Sequence, residues 1–173
     1  MYIIISILGV FSFLRTISII YSFIHERRLK REGAKEYLKI NSYLLIITCV
    51  VIYVSSIFEV LYIQKTQFSI ITIIGLVIYI FSMVILIFVI KGLGKFWTMK
   101  ILIAQKHVLK ANGIYRYFKH PNYYLNIIPE MIGIGFIAKS FYSTSILFIL
   151  LLIILFYRIK KEEEIMKKIF PEY

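Results

Sequence analysis

Five long apolar runs constrain this chain more than any other feature. They read as about Tyr2–Ile24, Ser42–Ile63, Phe68–Ile90, Tyr123–Ala138 and Phe141–Tyr157. At about 1.5 Å of rise per residue, a helix needs roughly 20 residues to cross the hydrocarbon layer, and about 17 at the least. The fourth run falls slightly short and carries Pro129. It is expected to be tilted little, re-entrant, or partly shielded by protein. A soluble fold would have to hide every run in one small core. The chain is 60% hydrophobic and 17% charged, against about 45–50% and 25% for a soluble domain.

The charges sit between the runs. Net charge is +12, from 21 Lys and Arg against 9 Asp and Glu. Such an excess could mark nucleic-acid binding, but basic residues confined to loops follow the positive-inside rule, with attraction to anionic headgroups as a by-product. The segment His25–Lys39 is dense in base, as are Lys91–His120 and the tail from Arg158. The links Gln64–Gln67 and Lys139–Ser140 are short. An all-α, polytopic protein of about five spanning helices, N-terminus out and C-terminus cytoplasmic, satisfies every loop. The opening run has no basic leader and no small-x-small cleavage site, so it is expected to be a retained span. The lone Cys49 excludes an internal disulfide, and no metal site is expected. Gly33, Gly92 and Gly94 are expected at helix ends, and the tail from Arg158 as an amphipathic continuation of the fifth helix.

Three ionisable residues interrupt the runs. Such groups are costly in a bilayer and pair or face a cavity. Counting from the cytoplasmic boundaries, Arg15 and Glu130 each lie roughly 15 Å deep, and Glu59 roughly 27 Å. The matched depths predict an Arg15–Glu130 ion pair, which either locks two helices or lines a substrate cavity. Glu59 is expected to snorkel to the far interface.

Two segments on the basic side are unusual. In Tyr117–Tyr124, YFKHPNYY, Pro121 lacks an N–H and pushes His120 out of the α region, so a helix can start there. Gly113 allows a turn before it. The free N–H groups of that start suit a carboxylate or ribose, and its aromatics offer stacking surface. An interfacial aromatic belt with a capping turn fits the same residues. In the tail, Arg158 and Glu162 are four apart and can bridge on one helix face.

Taken together, His107-Val108-Leu109, Gly113, Tyr115, Lys119-His120-Pro121-Asn122-Tyr123 and, about forty residues on, Arg158, Glu162-Glu163, Met166, Phe170 and Tyr173 resemble the isoprenylcysteine carboxyl methyltransferase family, in its compact bacterial form. The likeness covers about Leu93–Tyr173. Lys119 stands where the family usually has Arg, and Pro171 where it usually has Gly. The resemblance implies an S-adenosylmethionine-dependent O-methyltransferase of the cell membrane. It implies a cofactor site of His107, Val108, Leu109, Lys110, Tyr115, His120, Pro121, Asn122, Tyr123 and Glu162, with Arg158 facing the acceptor and Arg158 and Glu162 as the catalytic pair. The acceptor would be a carboxylate or enol on a lipophilic, isoprenoid- or polyketide-like molecule, or a lipidated one. Residues 1–173 then form one membrane domain: three spans in 1–90, and in 91–173 a cofactor-binding half with two spans and a tail. A sterol-reductase-like NADPH oxidoreductase and a non-catalytic scaffold are the competing readings.

Overall fold

A computed structural model describes residues 2–63, 67–103 and 113–169. Its elements are α1 (Tyr2–Arg31), β1 (Lys35–Tyr37), α2 (Lys39–Ile63), α3 (Ile70–Leu93), β2 (Ile101–Ile103), α4 (Ile128–Ala138) and α5 (Phe141–Ile169). Short 3-10 turns cover Gly94–Phe96 and Gly113–Arg116, and a π-helical turn covers Asn122–Ile127. Helices α1, α2, α3 and α5 are long and apolar enough to cross a membrane. The chain is an all-α, multi-pass membrane protein.

The fourth apolar run is the shielded one. Helix α4 packs chiefly against α3 and also touches α1, α2 and α5. Glu130, Met131, Gly133, Ile134, Gly135, Ile137 and Ala138 along it are buried. A segment surrounded by protein has no need to match the bilayer thickness. Pro129 cannot donate its backbone nitrogen and its ring crowds the preceding turn. The ladder widens into the π turn immediately before it, a common form at functional sites.

Two glycines let α4 approach α3. A Cβ on Gly75 would lie 2.7 Å from the Ile137 nitrogen and 2.8 Å from the Gly133 oxygen. Small residues permit such backbone contact between membrane helices, where packing rather than hydrophobic exclusion drives association. Outward faces carry Phe13, Ile17, Phe58, Phe81, Ile153 and Phe156, all exposed on the isolated chain. The interior instead holds Ser56, Thr72, Ser82, Asn126 and Thr144 beside the apolar core. An apolar exterior with polar groups gathered inside suits a lipid solvent.

The helix ends divide between two sides. On one, α1 and α3 finish and α2 and α4 begin, together with the end of α5. Strands β1 and β2 pair antiparallel there, Lys35 opposite Ile103 and Tyr37 opposite Ile101. This small two-stranded ribbon was not anticipated from the sequence. Residues 97–100 run against the end of α1: the Met99 N–H donates to Ser22 Oγ at 2.8 Å, and His25 Nδ1 lies 3.1 Å from the Trp97 carbonyl. Gly94 ends α3 with φ 54° and Gly33 follows α1 with φ 82°, as expected of helix ends. Gly92 does not end α3. It lies inside that helix, against the Tyr115 ring.

On the opposite side, Glu59 does not snorkel. Its carboxylate accepts from the backbone N–H of Ser143 at 3.0 Å and from the Ser143 hydroxyl. It caps the start of α5, where free N–H groups attract an anion, and that bond replaces the water that snorkelling would have found.

Candidate functional site

The π turn places Tyr123 at the meeting point of three segments. Tyr123 OH donates to Glu162 Oε2 at 2.7 Å and accepts from Arg158 Nε at 2.8 Å. The Arg158–Glu162 bridge expected from their spacing is thus not direct: the tyrosine hydroxyl stands between them. Arg158 is 1% exposed. Its Nη1 donates to Ser42 Oγ at 2.8 Å and to Asn41 Oδ1 at 3.4 Å, and its Nη2 donates to the Met99 carbonyl at 2.7 Å. The guanidinium fork therefore ties α5 to the start of α2, to the segment before β2 and to the π turn. Only Arg has the donors for this at a buried site.

His120 completes the cluster. Its backbone carbonyl accepts from the N–H groups of Tyr123 and Tyr124, so the helix begins at Pro121 as expected. Its ring stacks on Tyr123 with centroids 5.6 Å apart. Nδ1 lies 3.9 Å from Glu162 Oε2 and Nε2 lies 3.4 Å from Glu163 Oε1. His120 and Glu162, forty-two positions apart in the chain, therefore face one another.

Three buried polar atoms here have no hydrogen-bond partner among the described residues: Tyr115 Oη, His120 Nε2 and Asn122 Oδ1. Burial pushes the Tyr115 hydroxyl above its usual range, and the Glu162 carboxylate adds to this. Leaving such atoms unpaired costs on the order of 1–3 kcal/mol each. A polar ligand entering beside Glu162 would relieve that cost. Tyr115, His120, Pro121, Asn122, Tyr123, Arg158 and Glu162 thus gather at one end of the bundle. His107, Val108, Leu109 and Lys110 lie outside the described residues, as do Phe170 and Tyr173.

The sequence reading missed Asn41, Ser42 and the Met99 carbonyl. Small polar residues opening the second apolar run were the available signal for the first two. It also missed Glu163 as a neighbour of His120.

Deeper in the bundle, Arg15 Nη1 lies 3.3 Å from Glu130 Oε2, the pair expected from matched depth. Tyr53 OH donates to Glu130 Oε1 at 2.6 Å and lies 3.1 Å from Tyr79 OH. Arg15 borders a small void with Asn122, Tyr123, Trp97 and Met99, which links this pair to the site above.

Comparisons with known proteins find relatives of the chain. The model of the isoprenylcysteine carboxyl methyltransferase (ICMT) family matches residues 73–168. An "Uncharacterized protein" of Haemophilus influenzae is 39% identical over 158 residues, 91% of each chain. "Uncharacterized protein YpbQ" of Bacillus subtilis is 26% identical over 145 residues, 83% of this chain and 84% of that one. No solved structure matches the chain.

Proposed function

We propose that this chain, which belongs to the isoprenylcysteine carboxyl methyltransferase family and is a membrane methyltransferase, takes its methyl group from S-adenosylmethionine and delivers it to an ionised oxygen of a lipophilic acceptor. The observation that carries the reading is the meeting of His120 and Glu162 around Tyr123, inside the family-matched residues. The Tyr115, His120 and Asn122 atoms left without a hydrogen bond among the described residues fit a polar cofactor that both donates and accepts.

When bound, S-adenosylmethionine supplies a methyl carbon on a positive sulfonium. Glu162 sets a negative charge at the mouth of the site and balances that cation or holds an amino or hydroxyl group. The His120 and Tyr123 rings present a flat, stacked face. The resemblance gives Arg158 the acceptor, but here its N–H groups serve Tyr123, Ser42, Asn41 and Met99. In our reading it is a positioning residue that holds Tyr123, and Tyr123 holds Glu162. An ionised oxygen needs no general base, so the protein's work is alignment and exclusion of water. We place the basic end, and so the cofactor mouth, in the cytoplasm of a cell membrane.

Calorimetry on the purified protein tests this. S-adenosylhomocysteine is expected to bind, and Glu162→Gln or His120→Ala to abolish binding with thermal unfolding still cooperative. Binding of NADPH instead would favour a reductase, and binding of neither a scaffold. Mass spectrometry of a lipid extract incubated with protein and labelled methyl donor then identifies the acceptor class.

A further inference from the structure

Between α1 and α2 lies a cleft of about 150 Å³, lined by Ser12, Arg15, Ile19, Cys49, Tyr53 and Met99 among others. Its walls are almost wholly apolar, yet Arg15 forms part of them. Helices α1 and α2 both precede residue 73, where the family match begins.

The guanidinium is engaged on one side only. Nη1 meets Glu130 Oε2, and no hydrogen bond from Arg15 to another described residue is seen. Ser12 Oγ, in the same cleft, is buried without a partner among the described residues. A cation and an unsatisfied hydroxyl inside an apolar, membrane-level cleft select a ligand with an anionic head and a hydrocarbon tail. A cavity of about this size holds a benzene-sized group, so it takes the head and its nearest carbons while the tail extends among the acyl chains. Arg15 and Met99 also border the void containing Asn122 and Tyr123. They are the wall shared by the cleft and the cofactor-side cluster.

We propose that this cleft is the acceptor site, taking a single-tailed lipid with a small acidic head, carboxylate or ring enolate, against Arg15. The assignment rests on the methyltransferase reading for its purpose, but not for its test. Glu130, held by Tyr53, fixes the guanidinium and competes with the incoming anion for it.

The test uses a diazirine analogue of lauric acid on the wild-type protein in detergent, with cross-linked peptides mapped by mass spectrometry. Labels are expected on the α1 and α2 residues of the cleft. Unlabelled laurate should compete, and dodecanol should compete roughly tenfold more weakly, the loss expected of one charge-assisted hydrogen bond. Arg15→Gln should erase the preference for acid over alcohol, and Glu130→Gln should increase it. Cooperative thermal unfolding serves as the fold control for both variants. Labels spread evenly over the lipid-facing surface, or equal competition by acid and alcohol in the wild type, would overturn the proposal. If labelling succeeds while wild-type protein ignores S-adenosylhomocysteine, the methyltransferase chemistry fails and the lipid site stands.

Discussion

The Tyr123 hydroxyl lies between Arg158 and Glu162, accepting from Arg158 Nε at 2.8 Å and donating to Glu162 Oε2 at 2.7 Å. One phenol therefore sets the position of both charged residues. Tyr123→Phe leaves a buried guanidinium N–H and a carboxylate oxygen short of a partner. We expect a loss of about 1–3 kcal/mol in thermal or denaturant unfolding. Tyr123→Phe should also weaken S-adenosylhomocysteine binding, and adding Glu162→Gln should cost little more, because both changes break one network. Fully additive losses would mean that Tyr123 and Glu162 act separately.

The Arg15–Glu130 pair makes a second, independent test of burial energetics. Glu130 is 0% exposed and Arg15 meets it at 3.3 Å. Arg15→Leu strands a buried carboxylate and is expected to cost about 3–5 kcal/mol. The double change Arg15→Leu with Glu130→Leu removes both desolvation penalties and should recover much of that loss. Unfolding in detergent, read for the wild type and both variants, decides it. A double variant no more stable than the Arg15→Leu single would refute the coupling.

These two clusters mark what a sequence could reveal. The pair at 15 and 130 was legible because depth along a helix is a count of residues, and two opposite charges at one depth have few other partners in lipid. The Arg158–Glu162 geometry was not. A spacing of four names neighbours on one helix, but Tyr123, Ser42 and the Met99 carbonyl compete for the guanidinium from distant parts of the chain. Glu59 misled for the same reason: the Ser143 N–H that it caps is eighty-four residues away. The ribbon of Lys35–Tyr37 with Ile101–Ile103 was invisible because three-residue strands carry no readable period. His120 and Tyr123 were singled out by residue chemistry and motif together, and the start of a helix at Pro121 followed from proline's missing donor.

The approach of α3 and α4 should tolerate no side chain at residue 75. Even the methyl of Gly75→Ala would lie 2.7 Å from the Ile137 backbone nitrogen and 2.8 Å from the Gly133 oxygen. Backbone cannot swing aside as a side chain can. We expect about 1–3 kcal/mol of destabilisation from overpacking, against little change for Gly9→Ala, which has nothing within 4 Å of its added carbon. Since α4 follows the π turn, Gly75→Ala should also lower S-adenosylhomocysteine affinity. Parallel melting curves for the two alanine variants check the first expectation and calorimetry the second.

Lys100 should matter more than any exposed lysine near it. Its ammonium lies 2.8 Å from Glu26 Oε1 and 3.4 Å from Glu36 Oε1, and donates to Tyr43 OH at 3.1 Å. Burial works against its charge, but the hydrogen bonds with Glu26 and Tyr43 outweigh that and hold it above the ordinary lysine range. It joins the end of α1 to the ribbon from a buried position, whereas Lys30 bonds Glu26 and Glu36 from a position 41% exposed. Lys100→Ala is therefore expected to cost about 1–3 kcal/mol, and Lys30→Ala about 0–1 kcal/mol. A group raised on folding adds stability that is complete below its unfolded value, near pH 10.4 for lysine, and is lost only as pH climbs through the higher folded value. The gap in melting temperature between wild type and Lys100→Ala should stay constant through neutral pH and close only under strongly alkaline conditions. A gap that already closes near neutrality would assign the stabilisation to some other group.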